Sequence, residues 1–314
     1  MSINVFLSNK LPLKKDNILS IISFDNKVEH NSDILITGVP SLNGKKIYEI
    51  WEVKENVKQL KYNNINISQT KDYLFGISII KNSGTYEEIK LEIQKEYTNF
   101  FEFSKKNEMK LVKIWHYIPD LLKVYKNKKT NYSLLCEARE NAYKVHYKNF
   151  NYPAATVIGT NSDKILIYFF SALCNKYKAI ENSRQISSYN YPQNIFLERP
   201  MFSRAVSFQL LNEPQKQTMI SGTASIRGYE SVYKKNVLNQ LNEAIENYKT
   251  FMTLDSTVTN VCRVYISKSQ SANLKFITEM LDKVIGSENY VLLKGVICRE
   301  ELLVEIEGIM KWAI

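Results

Sequence analysis

The sequence predicts an α+β fold in which mixed sheets carry their helices on one face. Three observations favour this class. Short strands separated by Asn, Gly and Ser turns fill the N-terminal third of the chain. Segments with apolar residues at helical spacing follow them. From residue 218 to the end the pattern is β-α-β-α-β-β, which is typical of helices layered against one sheet.

The N-terminal strands are short apolar runs: DILITGV (33–39), KKIYEIWEV (45–53) and YLFGISII (73–80). A helix is predicted from Thr85 to about Lys106, because apolar residues recur there every three or four positions. The next two elements are a strand that ends near Pro119, LVKIWHYIPDLL (111–122), and a second helix, SLLCEARENAYKVHYKNF (133–150).

The second half begins with NYPAATVIGTNSDKILIYFFSAL (151–173), which predicts a β-hairpin whose second strand is buried on both sides. Residues 182–211 are irregular, aromatic and rich in Arg, as functional loops often are. The remaining predicted elements are strand 218–231, helix 237–252, strand 260–267, helix 273–285 and strands 290–297 and 302–312.

Composition excludes several classes of protein. Apolar residues make up 44% and charged residues 24%, no apolar run is long enough to span a membrane, and the N-terminus lacks a signal-peptide pattern. We therefore expect a cytoplasmic protein without a membrane partner. The four cysteines and three histidines form no CxxC, HxH or HxxxH pattern, so neither a disulfide framework nor a metal site is expected. The net charge of +10 comes from scattered lysines, which favours a solvated surface over a nucleic-acid site.

Arginine is the more informative cation. Only seven of the 42 basic residues are arginine, and none precedes Arg139. A chain that uses Lys for surface charge is expected to keep Arg where a bidentate fork is needed. Arg184, Arg199 and Arg204 lie close together in the sequence, and they either bind a carboxylate or form internal ion pairs that hold a loop. Tyr191 beside them could bind the same carboxylate or fill a core.

Glu305 and Glu307 lie on one face of the last predicted strand. The pattern alone favours a solvent-facing pair. A glutamate facing a pocket would instead have its pKa raised by desolvation and could act as a general acid. The small residues of SGTAS (221–225) would allow backbone amides to approach an anion. His116 is interpreted as a buried hydrogen-bonding residue.

Seven segments in order resemble the chorismatase family, the chorismate hydrolases of secondary metabolism: KIWHYIPDL (113–121), CEARENAY (136–143), PAATVIGT (153–160), ENSRQISSYNYP (181–192), RPMFSRA (199–205), SGTASIRGYES (221–231) and ICREELLVEIEG (297–308). The resemblance implies two YjgF/RidA-like, or chorismate mutase-like, portions. We place a divergent N-terminal portion at residues 1–150 and a C-terminal portion with the catalytic glutamate at residues 151–314.

The resemblance also implies the chemistry. Glu305 matches the catalytic glutamate of the family, and the substrate-binding candidates are Arg139, Arg184, Tyr191, Arg199, Arg204, Ala224 and Cys298. The implied enzyme cleaves the enolpyruvyl ether of chorismate to pyruvate and a ring product without a metal or other cofactor. Cys298 favours 3-hydroxybenzoate over a dihydroxycyclohexadiene carboxylate, whereas Ala224 leaves the branch open. A monomer or small homo-oligomer is expected.

Two alternatives remain. His116 and Tyr229 stand where the family usually has Asn and His, which would suit a relative that binds a small carboxylate without turnover. A RidA-like imine deaminase would need an arginine for the carboxylate of an imino acid, for which Arg263 and Arg299 are candidates.

Overall fold

The computed structural model describes residues 3–31, 33–146, 151–192, 194, 198–211, 213–252, 258–267 and 271–312. Within them the chain forms three main β-sheets and four α-helices. The first sheet has the strand order β1-β5-β2-β4-β3. Its strands are β1 (Asn4–Ser8), β2 (Ile18–Ser23), β3 (Val28–Asn31), β4 (Ile34–Thr37) and β5 (Tyr48–Glu52). Strands β4 and β5 confirm the first two predicted strands.

The second sheet has the order β10-β9-β11-β8-β7-β6. Its elements are β6 (Lys58–Tyr62), β7 (Ile65–Gln69), β8 (Tyr73–Lys81), α1 (Tyr86–Lys106), β9 (Lys110–Pro119), α2 (Asn131–His146), β10 (Ala154–Thr160) and β11 (Lys164–Ala172). Helix α1 begins as predicted, because Thr85 caps it in a reciprocal capping box with Glu88. Strand β9 ends at Pro119, also as predicted. The predicted end of the second helix, residues 147–150, lies outside the described residues.

The third sheet has the order β12-β13-β14-β19-β17-β18. Its elements are β12 (Cys174–Ile180), β13 (Ala205–Leu210), β14 (Gln217–Ala224), α3 (Val237–Lys249), β17 (Val258–Ile266), α4 (Leu274–Val284), β18 (Tyr290–Lys294) and β19 (Val304–Trp312). A small ribbon of β15 (Ile226–Arg227) and β16 (Glu230–Ser231) follows β14. Apart from this ribbon, the predicted β-α-β-α-β-β order is confirmed.

The second and third sheets share one topology. Each has three antiparallel strands, a helix, a strand, a second helix, a strand parallel to the previous one, and a final strand inserted in the middle. The sequence shows no such repeat because the topology needs only the apolar pattern of each element, not particular residues. The predicted fold class, two α+β portions with mixed sheets and helices on one face, is confirmed.

The predicted hairpin between β10 and β11 is wrong. Strand β10 pairs in parallel with β9, whereas β11 pairs with β8 and with the opposite edge of β9. A parallel β-α-β crossover through α2 places β10 beside β9 and leaves β11 to fill the gap between β8 and β9. This central position explains why residues 165–172 of β11 are buried throughout, as predicted. The sheets change at Leu173, later in the chain than the predicted division at 150/151.

The two six-stranded sheets turn their helix-free faces towards each other and towards the N-terminal sheet. One apolar core contains residues from all three sheets, a second joins α1 and α2 to the second sheet, and a third joins α3 and α4 to the third sheet. At the junction, the amide of Ala155 on β10 donates to Ser221 Oγ on β14 at 2.9 Å. Edge strand β10 of the second sheet therefore contacts β14, a central strand of the third sheet.

Candidate active site

A cavity lies at this junction, with a volume of about 50 Å³ accessible to the centres of water-sized molecules. Helix α2, strand β10, the loop before β13, the end of β14 and the segment that leads into β19 all contribute to its wall. The lining residues are Tyr132, Arg139, Ala155, Val157, Tyr191, Pro200, Phe202, Arg204, Gly222, Ala224, Ile226, Cys298, Arg299 and Glu305.

Glu305 is the one carboxylic acid in this lining, and its side chain is only 5% exposed. It lies in β19 between β14 and β17, opposite Ala224 and Tyr265. Val304 and Ile306 on the other face pack in the core beneath α3 and α4. The interpretation of Glu305 and Glu307 as solvent-facing is therefore wrong. The second sheet covers the face of the third sheet that carries them, which would otherwise be exposed to water.

Burial and, to a smaller extent, the charge of Glu307 raise the pKa of Glu305 to about 8, against the opposing effects of Lys113 and Arg204. An isolated carboxyl group loses hydration when buried, so its neutral form is favoured. Glu305 is consequently protonated at neutral pH, with a pKa close enough to neutrality for efficient proton donation.

Glu307, two residues away, is held in the opposite state. Burial opposes ionisation, but Lys113 and Arg263 hold the pKa of Glu307 below its usual value. The Lys113 Nζ lies 2.6 Å from Glu307 Oε2, which also accepts hydrogen bonds from Trp115 Nε1 at 2.8 Å and Thr156 Oγ1 at 2.6 Å. One strand face thus carries a neutral acid beside a paired carboxylate, a division of roles typical of acid–base sites.

Gly222 lies against the carboxyl group of Glu305. The register between β14 and β19 shifts between Ile220 and Thr223, which is a β-bulge at this position. A Cβ atom built on Gly222 would lie 1.9 Å from Glu305 Oε1 and 2.6 Å from its Cδ. The amide of Gly222 donates to Thr156 Oγ1 at 3.1 Å. Within SGTAS, Gly222 therefore leaves room for the side chain of Glu305. Its own amide is already hydrogen-bonded to Thr156.

Three guanidinium groups face the cavity. Arg139 on α2 is fully buried, and its Nε and Nη1 have no hydrogen-bond partner among the described residues, while Nη2 lies 3.9 Å from Cys136 Sγ. Arg204 Nη2 donates to Tyr191 Oη at 2.7 Å and to the Ile186 carbonyl at 2.9 Å, and its Nε lacks a partner within the described chain. Buried donors of this kind are the groups that an anionic ligand would satisfy.

The third guanidinium belongs to Arg299, which follows Cys298 in the cavity wall. Its Nη1 donates to the Tyr229 carbonyl at 2.8 Å and to Ser231 Oγ at 3.0 Å, which aligns the side chain along the ribbon that follows β14. Burial raises the pKa of the Cys298 thiol to about 12, so this sulfur is an uncharged part of the wall.

The structure brings six of the eight candidate residues to this cavity: Arg139, Tyr191, Arg204, Ala224, Cys298 and Glu305. Arg184 lies outside it, because its Nη2 pairs with Glu243 at 2.5 Å and its Nε donates to Asn247 at 2.8 Å. This is the loop-holding role that the sequence left open. Arg199 is likewise absent from the lining.

Arg299 was predicted only as a partner of an imino acid, and Tyr132 and Phe202 were not predicted at all. Gly222 was noted only as part of SGTAS, as a possible anion contact. The scarcity of arginine could have identified Arg299, but nothing in the pattern marks Tyr132 or Phe202. Arg263 is excluded from ligand binding, because it is buried and bidentate to Glu49 at 2.6 and 2.7 Å. His116 is the predicted hydrogen-bonding residue: Nδ1 lies 2.8 Å from the Thr156 carbonyl and Nε2 2.5 Å from Tyr97 Oη. Burial lowers the pKa of His116 to about 3.

In the part of the chain that the structure describes, no group of three or more His, Cys, Asp or Glu residues is arranged to hold a metal ion. None of the helices described is both long and apolar enough to cross a membrane.

The pair of α+β portions is also found in a protein of known structure. A solved crystal structure of a chorismatase covers 98% of this chain and 98% of its own, with 22% identity and a TM-score of 0.86, so the chain has the chorismatase fold. The family model "Chorismatase FkbO/Hyg5-like, N-terminal" matches residues 49–171. Over these residues the chain is similar to the chorismatase family.

Three curated relatives extend the match beyond the N-terminal segment. A 3-hydroxybenzoate synthase of Streptomyces hygroscopicus is 24% identical over 94% of this chain and 92% of its own length. A chorismatase of Streptomyces rapamycinicus is 24% identical over 83% of this chain and 81% of its own. A chorismatase of Streptomyces hygroscopicus is 26% identical over 83% and 78%.

Proposed function

We propose that the protein cleaves the enolpyruvyl ether of chorismate and releases pyruvate and a hydroxybenzoate, with 3-hydroxybenzoate as the favoured product. One observation carries the proposal: a carboxylic acid that is neutral at neutral pH shares a cavity with three guanidinium groups. The names of the full-length relatives, chorismatase and 3-hydroxybenzoate synthase, support it.

The first chemical step is proton transfer to carbon. An enol ether resists hydrolysis until its methylene carbon is protonated, which produces an oxocarbenium ion at the ether carbon. Glu305 supplies that proton in this proposal, because its raised pKa keeps it protonated at the pH of the reaction. The resulting carboxylate is stabilised by Lys113 and Arg204, whose charges act on Glu305.

The guanidinium groups bind the two carboxylates of the substrate. Chorismate carries one acid on its ring and one on its enolpyruvyl group. The unpartnered nitrogens of Arg139 and Arg204 are the groups we assign to them, because a planar guanidinium binds a carboxylate through two parallel hydrogen bonds. Holding both acids places the methylene carbon relative to Glu305, and such orientation is a large part of catalysis.

The fate of the oxocarbenium ion decides the ring product. Addition of water yields pyruvate and a dihydroxycyclohexadiene carboxylate. If the hydroxyl group and carbons of the ring take part instead, the ring aromatises to a hydroxybenzoate, and chorismate divides into the two products without net uptake of water. Cys298 in the cavity wall and the 3-hydroxybenzoate synthase relative favour the second route.

The test is a direct assay. Purified protein is incubated with chorismate without added metal, pyruvate is measured with a coupled dehydrogenase, and the ring product is identified by mass and retention time. We expect equal amounts of pyruvate and 3-hydroxybenzoate. Pyruvate no higher than in a protein-free incubation would refute the proposed function.

A matched pair of variants tests the acid. Glu305→Gln keeps the shape of the side chain but cannot donate a proton, so turnover should fall by at least 10³-fold while chorismate still binds. Glu300→Gln changes an exposed carboxyl group in the same segment and should retain wild-type turnover. A Glu305→Gln variant with full activity would remove Glu305 from the mechanism.

A further inference from the structure

The three guanidinium groups of the cavity alternate with two aromatic rings. The Cζ of Arg139 lies 5.9 Å from the ring centroid of Phe202, and the Cζ of Arg204 lies 5.1 Å from the same centroid. The Cζ of Arg204 also lies 5.7 Å from the Tyr191 centroid, and the Cζ of Arg299 lies 5.6 Å from it. We refer to Arg139, Phe202, Arg204, Tyr191 and Arg299 as the cation–aromatic row.

The cation–aromatic row offsets the repulsion between its positive charges. Three like charges at one cavity repel one another. Among the described residues no carboxylate oxygen lies within 4.0 Å of Arg139 or Arg204, although Arg204 interacts with the carboxyl group of Glu181 at longer range. An aromatic face attracts a guanidinium within about 6 Å, most strongly where water is excluded. Arg139 is fully buried and Arg204 is 4% exposed, so both contacts with Phe202 lie in a poorly solvated region. The ring therefore lets two cations share a cavity before any anion arrives.

Phe202 also has a position of its own that does not depend on the arginines. Its amide donates to Ser188 Oγ at 3.3 Å, and Ser188 Oγ donates to its carbonyl at 2.8 Å. These two hydrogen bonds to the neighbouring loop fix the backbone of Phe202, and with it the position from which the ring projects. A phenyl ring has no polar atom with which to bind a carboxylate, so any effect of Phe202 on an acidic ligand must act through the two guanidinium groups that it contacts.

We infer that Phe202 is a positioning residue that sets the separation of the Arg139 and Arg204 guanidinium groups, and that this separation selects ligands with two suitably spaced acid groups. The inference rests on the proposed function for the identity of the ligand, but the selection itself is a property of the cavity. Each guanidinium holds one carboxylate, and the ring between them works as a spacer.

Benzoate and the three benzenedicarboxylates test the spacing without requiring turnover. Phthalate, isophthalate and terephthalate present two carboxylates at three separations, and benzoate presents one. Dissociation constants are measured by calorimetry for the wild type, Phe202→Leu and Phe202→Tyr. Leucine keeps an apolar side chain without the ring, whereas tyrosine keeps the ring. Thermal melting of each variant shows whether it is folded.

We expect the wild type to bind one dicarboxylate isomer at least tenfold more tightly than benzoate and than the other isomers. Phe202→Leu should reduce that preference to threefold or less, whereas Phe202→Tyr, which keeps the ring, should retain it. Equal binding of all four acids by the wild type, or an unchanged preference in Phe202→Leu, would overturn the inference.

Kinetics with chorismate give the second readout. Phe202→Leu should raise KM at least tenfold and lower kcat as well, because the Arg139 and Arg204 guanidinium groups hold both acids and thereby orient the methylene carbon relative to Glu305. A fall in kcat alone would contradict a role in carboxylate spacing. If the wild type releases no pyruvate, the proposed function fails, while the isomer preference still decides the role of Phe202.

Discussion

The packing of Gly222 against Glu305 leads to a sharp prediction about the Gly222→Ala variant. The added methyl group would lie 1.9 Å from Glu305 Oε1, whereas ordinary contacts begin near 3.4 Å. Either the carboxyl group or strand β14 must move by about 1.5 Å, the difference between these two distances. The φ angle of Gly222 lies outside the left-handed region, so alanine introduces no backbone strain of its own.

The size of the effect follows from how strictly proton transfer depends on distance. A displacement of about 1 Å at a reacting group typically costs about 10²-fold in rate. A shift of about 1.5 Å, the value derived above, should therefore lower kcat by about 10²-fold or more. Chorismate should still bind, because the three heavy atoms nearest to the added methyl group all belong to Glu305 and none to an arginine.

The assay is steady-state pyruvate release from chorismate, together with chorismate binding by calorimetry and thermal melting. Gly44→Ala is the control, since its φ of +64° makes alanine unfavourable by about 1 kcal/mol while nothing lies within 4 Å of the added methyl group. It should lower stability slightly and leave kcat unchanged. A folded Gly222→Ala variant with kcat within threefold of the wild type would refute the argument that this glycine positions the acid.

Three further predictions concern the ionisation of the glutamate pair. First, kcat should fall as the pH rises through about 8, because Glu305 must be protonated to act; a rate that increases across this range would show that its carboxylate is the active form. Second, Glu307→Gln should move this alkaline limb to lower pH, because it removes a charge that raises the pKa of Glu305, and should cost about 3–5 kcal/mol of stability by leaving Lys113 without its carboxylate; an unmoved limb in the pH–rate profile, with unchanged urea unfolding, would contradict it. Third, Glu305→Gln should gain stability relative to the wild type as the pH rises from 4.5 to 8. The reason is that the raised pKa of Glu305 stabilises the folded wild type only while this group is protonated. The stability difference should approach a few kcal/mol, at about 1.4 kcal/mol per pH unit, and melting temperatures of the two proteins that change in parallel across this range would exclude it.

The elements of the fold were largely predictable from local pattern. Helix α1 was predicted from its apolar spacing, and β9 from an apolar run that ends near Pro119. Strand pairing was less predictable, because β10 and β11 are neighbours in the sequence but β9 separates them in the sheet. A short polar turn between two strands is compatible with a hairpin or with strands on either side of a third, and only the path of α2 distinguishes them.

The candidate site shows the same division. The residue types were evident, since scarce arginines and a glutamate in the last strand match the family segments. Which arginines meet the glutamate was not, because Arg184 and Arg204 look alike in the sequence. Glu243 on α3 takes Arg184 as its partner, while Arg204 lies beside Phe202 in the cavity wall.

The sequence by itself determined the α+β class and the order of the last six elements, and it singled out Glu305 as the candidate acid. Each of these depends on the spacing of residues within one segment or on an ordered set of short matches. Only the tertiary structure decided that Glu305 is neutral, that Gly222 lies against it and that Phe202 contacts two of the guanidinium groups. The desolvation of Glu305 and the spacing of the guanidinium charges depend on surfaces from distant parts of the chain. The contact between β10 and β14 brings those surfaces together.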